Sequence, residues 1–194
     1  MPKRTLLLAV LLVGALGVAQ RAQASPVLGA ELFYTGGDIT VSALPVSSGF
    51  SSKLGLYDSS FSLLLALTND EPAFPAQPAI TFDPGALFGI AVGQELIFGV
   101  HINETGNNFF IGPGTRNADS VIHATVDSIG SGEFVVGFED LFGGGDRDYD
   151  DNRFLFSGAV ASPTTTAAVP EPGTMTLLLL GLVPAARRRL SRSN

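Results

Sequence analysis

The chain has 194 residues, no cysteine and a formal charge of −7. All 18 acidic residues lie between Glu31 and Glu171, a span with only four basic ones (Lys53, Arg116, Arg147 and Arg153), so the body carries about −14. That balance argues against nucleic-acid binding, which needs a basic surface; the missing cysteines exclude disulfides and thiolate metal sites, and the length suits one domain with a real core rather than two.

Residues Met1 to Ala24 read as a secretory signal peptide. Lys3 and Arg4 supply the positive start, Leu6 to Val18 the apolar stretch, and Ala22-Gln23-Ala24 the small-x-small triplet, which predicts cleavage by signal peptidase between Ala24 and Ser25. From Val27 the pattern predicts strands. Short apolar segments run over 29–34, 38–46, 53–57 and 61–67, with Gly36-Gly37, Ser47-Ser48-Gly49 and Asp58-Ser59-Ser60 as turn signals between them. Leu63 to Leu67 is expected as a buried strand. Pro72, Pro75, Pro78 and Pro84 crowd the next segment and predict a surface connection, because proline offers no backbone donor. Further strands are expected over 87–92, 95–103, 109–111, 120–128, 133–138 and 153–157. Roughly ten short strands with no helical period predict an all-β fold, a single β-sandwich or jelly-roll-like domain over 25–161. His101, in an apolar strand, is expected to be a satisfied structural residue, and His123 is placed to pack against the acidic loop described below.

After a Thr/Ala-rich linker (162–168) comes Val169-Pro170-Glu171-Pro172-Gly173-Thr174, then an apolar run from Met175 to Ala186, then Arg187-Arg188-Arg189. At about 1.5 Å per residue that run forms a helix shorter than the roughly 30 Å of hydrocarbon, so it suits a transient span better than a permanent one. The trailing arginines hold the segment from the cytoplasmic side. This tail, residues 169–194, closely resembles the PEP-CTERM sorting signal in the order of its parts: Pro170-Glu171-Pro172, apolar segment, basic cluster. The resemblance implies an exosortase-type enzyme as partner, cutting near Pro170, Glu171 and Pro172. It also implies a bacterium that makes exopolysaccharide, and a protein retained at the cell surface or in the extracellular matrix after transient insertion in the inner membrane.

The densest chemistry lies in Gly137 to Asn152, where Glu139, Asp140, Asp146, Asp148, Asp150 and Asp151 share a short loop with three consecutive glycines. Two carboxylates about 4 Å apart repel by roughly 1 kcal/mol in water and about 4 kcal/mol at an intermediate dielectric. Either the loop is a solvated acidic turn or a cation gathers it, and hard oxygen donors select calcium. These six residues are the candidate ligands. Glu139 and Asp140 are expected on opposite faces, as neighbours in an extended chain are. The EF-hand pattern fails: Asp151 stands where its glycine belongs and Ser157 where its bidentate Glu belongs.

The same run, Gly-Phe-Glu-Asp-Leu followed by Gly-Gly-Asp-x-Asp-Tyr-x-Asp, resembles the signature of the bacterial family called domain of unknown function 4114. An upstream Asp-x-x-x-His-Ala is matched by Asp119, His123 and Ala124. The resemblance covers about 94–157. It departs at Asp150, commonly Asn in that family, and at Asn152-Arg153, where the family continues with apolar residues. It implies a secreted or surface protein, in a family whose biochemistry is not established.

Together these features predict an exported, surface-retained protein that is not an enzyme. Its expected role is structural or adhesive in an exopolysaccharide matrix, with a calcium-stabilised loop and exopolysaccharide as a candidate partner. One alternative is a carbohydrate-binding module, which needs an exposed aromatic platform from Phe109, Phe110 and Tyr149. The other is a glycoside hydrolase using carboxylates of the loop, Glu139 among them.

Overall fold

Alternating apolar side chains build ten strands in the computed structural model, which describes residues 25–45, 48–70 and 78–162. The described residues belong to one unit, Gln23–Thr166. The expected signal peptide with Ala24, the linker beyond Ser162, the sorting signal with Pro170, Glu171 and Pro172, and the prolines Pro72 and Pro75 lie outside them.

In chain order the elements are β1 (Val27–Leu28), β2 (Leu32–Ala43), β3 (Ser52–Tyr57), β4 (Leu63–Asp70), β5 (Ile80–Phe82), helix α1 (Pro84–Phe88), β6 (Glu95–Ile102), β7 (Asn108–Phe110), β8 (Ala124–Gly130), β9 (Glu133–Phe138) and β10 (Asn152–Ala161). All pairings are antiparallel and run β1-β8-β9-β10-β2-β6-β3-β4, with β5 on β2 and β7 on β6. The path turns a corner where the first residues of β2 and β6 pair, Leu32 with Leu96 and Phe33 with Glu95. Beyond that corner the β4-β3-β6-β7 layer packs on the layer holding β8, β9, β10 and β2. The fold is therefore the expected all-β sandwich.

The two-residue period decides what faces inward. Leu96, Phe98, Val100 and Ile102 of β6 are all fully buried, as are Val136 and Phe138 of β9 and Phe154 and Phe156 of β10. Phe98 meets Phe156 across the layers with ring centroids 4.6 Å apart. Each such side chain contributes about 1.5–3 kcal/mol by leaving water. The outer face of β6 carries a smaller cluster, Tyr57, Ile97 and Phe110.

Three expectations are corrected. Gly36-Gly37 does not reverse the chain. Both glycines sit at φ near +98° inside β2, where Tyr34 pairs with Val160 and Ile39 with Gly158. The exposed residues 35–38 thus bulge out of one continuous strand. The segment 87–92 is not a strand. Asp83 Oδ1 accepts from the N–H groups of Gly85 (2.8 Å) and Ala86 (3.1 Å), Pro84 opens the turn, and Gly89 at φ +69° closes it, which makes a short helix. The 63–67 segment is a strand but only partly buried: Leu67 joins the core and Leu64 and Leu65 pack against it half-buried. It lies at the end of the pairing path, and Leu63 is 55% exposed.

Candidate cation site

β9 ends at Phe138, which points into the core, and the chain leaves it through Glu139 and Asp140. Gly137, one residue earlier, has to be a glycine: a Cβ there would strike the carbonyl oxygen of Tyr149. The returning limb of the loop can therefore lie directly against β9. Tyr149 uses that closeness, its N–H donating to Glu139 Oε1 at 2.6 Å.

The other carboxylate oxygen, Glu139 Oε2, is buried and has no hydrogen-bond partner. Such an orphan is uncommon in folded proteins and points to a missing water or ion. Gly145 closes over this oxygen so tightly that a Cβ there would collide with it. Carboxylate oxygens of Glu139, Asp146 and Asp148 all lie within 4.8 Å of one another. Calcium–oxygen bonds of roughly 2.3–2.6 Å span oxygens up to about 5 Å apart, so the group matches a calcium site in spread and in donor type. Asp146 and Asp148 are exposed, which leaves the outer side open to solvent.

Backbone conformation produces this convergence. Gly143, Gly144, Gly145, Arg147 and Tyr149 all have positive φ. For Arg147 (+66°) and Tyr149 (+58°) that region costs about 1–3 kcal/mol each, and it persists only where the surroundings impose it. The left-handed residues on either side of Asp148 fold the loop back toward Glu139.

The remaining candidate ligands lie elsewhere. Asp140 is buried and accepts from Ser48 Oγ at 2.5 Å. Its N–H donates to Asp151 Oδ2 at 3.2 Å, so Asp151 pairs with Asp140 instead of joining the convergent group. Burial, helped by the charges of Asp140 and Glu139, pushes the Asp151 carboxyl up to about 6, while the Asp140 N–H works to lower it. Asp150 stays exposed beside Asp148, its carboxyl raised by desolvation and then by the Asp148 charge. The structure thus gathers three of the six expected acids, Glu139, Asp146 and Asp148, and leaves Asp140, Asp150 and Asp151 outside them.

His123 is fully buried and does pack against the loop. Its ring stacks on Phe109 with centroids 3.7 Å apart and planes 13° from parallel. Nδ1 lies 3.1 Å from the Glu139 carbonyl oxygen and Nε2 lies 2.7 Å from Asp119 Oδ2. Burial works to raise the Asp119 carboxyl, but the N–H groups of Gly143 and Val121 and the His123 ring outweigh it and hold the group below the usual aspartate range. His101, by contrast, bonds Asn108 across the β6–β7 pair at 3.0 Å.

The expected aromatic platform is corrected. Phe109 is buried under His123, and Phe110 is buried between Tyr57 and Phe61. Tyr149 is half-buried. The exposed apolar side chains of this region are Leu141 (45%) and Phe142 (61%), at the tip closed by the Gly144 N–H to Leu141 carbonyl bond. Sequence reasoning missed Ser48 as the partner of Asp140 and Gly145 as the cover over Glu139. A serine in a turn and a glycine in a glycine run carry no local signal of either role.

No protein-family model and no curated protein matches the chain. Among solved structures, the fold is similar to the C-terminal domain of BC2L-C lectin from Burkholderia cenocepacia, with 16% identity, a TM-score of 0.40, and coverage of 68% of this chain and 96% of that one.

Proposed function

We propose that this chain is an exported, surface-retained bacterial protein whose β-sandwich holds a calcium ion in the loop between β9 and β10, and that its role in the matrix is structural or adhesive. The observation that carries the cation reading is Glu139 Oε2, buried and unpartnered, on a carboxylate that has an oxygen within 4.8 Å of carboxylate oxygens of Asp146 and Asp148. A divalent cation supplies both the missing partner and the countercharge. Thermal unfolding tests it. Calcium is expected to raise the melting temperature by several degrees at free calcium 100 times the dissociation constant, about 2.7 kcal/mol by mass action. Magnesium is expected to do less, because it demands a tighter octahedral shell. Sodium at matched ionic strength is also expected to do less, which separates site binding from screening. Asp146→Asn is expected to remove most of the calcium-specific rise. Equal rises with all three salts, unaffected by Asp146→Asn, would leave the loop a solvated acidic turn.

Delivery to the surface rests on the two terminal segments, the signal-peptide pattern before Ser25 and the PEP-CTERM-like tail with its implied exosortase. Intact-mass spectrometry of the native protein is expected to find residues 1–24 absent and the tail cut close to Pro170-Glu171-Pro172. A mass that includes Met175 to Asn194 removes the sorting claim. Carbohydrate binding is a second reading, favoured by the exposure of Leu141 and Phe142 at the tip of the same loop. An apolar ring beside an open-sided cation offers a sugar both a stacking face and an oxygen-seeking centre.

A further inference from the structure

We propose that Asp119 and His123 are positioning residues for the cation loop: they hold Glu139 and Gly143 in one rigid frame, so that cation affinity depends on two side chains that are not among the three convergent carboxylates. The inference rests on the reading of Glu139, Asp146 and Asp148 as the cation-binding group.

Glu139 is gripped twice by one residue. Its N–H donates to the His123 carbonyl oxygen at 2.9 Å, and its own carbonyl accepts from His123 Nδ1 at 3.1 Å. With both backbone groups of Glu139 bound, the direction in which its side chain leaves the backbone is set. The imidazole cannot swing away, because it is fully buried and stacked on Phe109. Its far nitrogen meets Asp119 Oδ2 at 2.7 Å, and the same oxygen accepts from the Gly143 N–H, also at 2.7 Å. Asp119 is anchored in turn through Oδ1, which accepts from the Val121 N–H at 3.0 Å. Two points on the outgoing limb, Glu139 and Gly143, are therefore referenced to a single buried ring and its carboxylate.

The spacing gives this frame its effect on the site. Gly143 lies two residues before Gly145, which closes over Glu139 Oε2, and three before Asp146. If Gly143 is released, the glycine turn is free to carry Gly145 and Asp146 away from Glu139. If His123 Nδ1 is removed, the Glu139 carbonyl loses its partner and the side chain its fixed origin. Groups that orient metal ligands from behind typically change metal affinity 10–100-fold when mutated.

Calorimetric titration with calcium chloride tests the proposal on the full chain and on His123→Gln, Asp119→Asn and Leu54→Ala. Leu54 is a buried core residue of β3, and its truncation controls for general loss of stability. Glutamine has no second ring nitrogen at the same place, so it cannot serve both the Glu139 carbonyl and Asp119. His123→Gln is expected to weaken calcium binding by roughly 10–100-fold, while Leu54→Ala stays within about twofold of the parent, as an independent site should. Equal affinity in His123→Gln and the parent overturns the proposal. So does equal weakening in His123→Gln and Leu54→Ala, since that reports only lost stability. Should His123→Gln fail to fold, Asp119→Asn is read by the same criterion. A parent chain that binds no calcium removes the cation reading itself, an outcome visible in the parent and so separate from the variants.

Discussion

Phe156→Ala is expected to destabilise the domain by about 3–5 kcal/mol, the range for truncating a large aromatic in a packed core. Phe156 is fully buried in β10, flanked in the sheet by Phe134 of β9 and Val41 of β2 and facing Phe98 of β6 across the layers. Its ring thus joins three neighbouring strands of one layer to the other layer. Removing it leaves a cavity that these strands cannot close without breaking their registers. A loss of this size is a large fraction of the roughly 5–15 kcal/mol that holds a typical domain folded. Urea unfolding followed by circular dichroism measures it, with the midpoint expected to fall sharply. An unchanged midpoint would mean that this face of β10 is not the core.

Glu139→Gln is expected to change sign with calcium. In the parent without cation, Glu139 Oε2 is buried with no donor to meet it, and the Glu139 carboxylate lies close to those of Asp146 and Asp148. A glutamine keeps the oxygen that accepts from Tyr149 N–H and turns its NH2 toward Asp146 and Asp148. Charge-assisted hydrogen bonds of that kind contribute about 1.5–3 kcal/mol. The variant should therefore melt above the parent in chelator. With calcium at 100 times the parent's dissociation constant, the parent gains about 2.7 kcal/mol and the variant, missing one of three anionic ligands, gains little. The order of melting temperatures then closes or reverses. Parallel curves, with the same difference in chelator and in calcium, would show that Glu139 contributes no cation contact.

Much of the sandwich was legible because side-chain period and burial are the same fact seen twice. Phe138, Phe154 and Phe156 lie in the strands expected over 133–138 and 153–157, and all three are fully buried. Glu139 and Asp140 were expected on opposite faces on the same ground; both lie past the end of β9, both are buried, and their carboxylates meet different partners, Tyr149 and Ser48. Punctuation was read less well. Gly36-Gly37 is a turn signal by composition, yet Tyr34 and Ile39 both stay paired with β10, so the strand resumes after its bulge. Asp83-Pro84 and Gly89 bracket a helix, but the apolar residues between them mimic a strand. The choice of acids that converge could not be read at all. It depends on Arg147 and Tyr149 adopting left-handed backbone, which neither residue prefers and only the packed loop enforces. The burial of Phe109 was hidden for a similar reason: its partner is His123, fourteen positions on and brought close only by the folded sheet.

The pairing of β10 with β2 has a consequence for the order of assembly. These strands make one of the longest pairings in the described fold, yet their partners are more than a hundred residues apart in sequence. Contacts of that separation form late and slowly, because the chain between them must first be brought round. Until residues 152–161 arrive, β2 and β9 each present a bare edge, a state prone to pairing with other chains. A chain made or threaded from its N-terminus has its first long strand exposed from early on and receives the partner of that strand last. The sandwich cannot close before β10 has left the ribosome. Late closure of this kind leaves β2 without its long partner until residues 152–161 have been made.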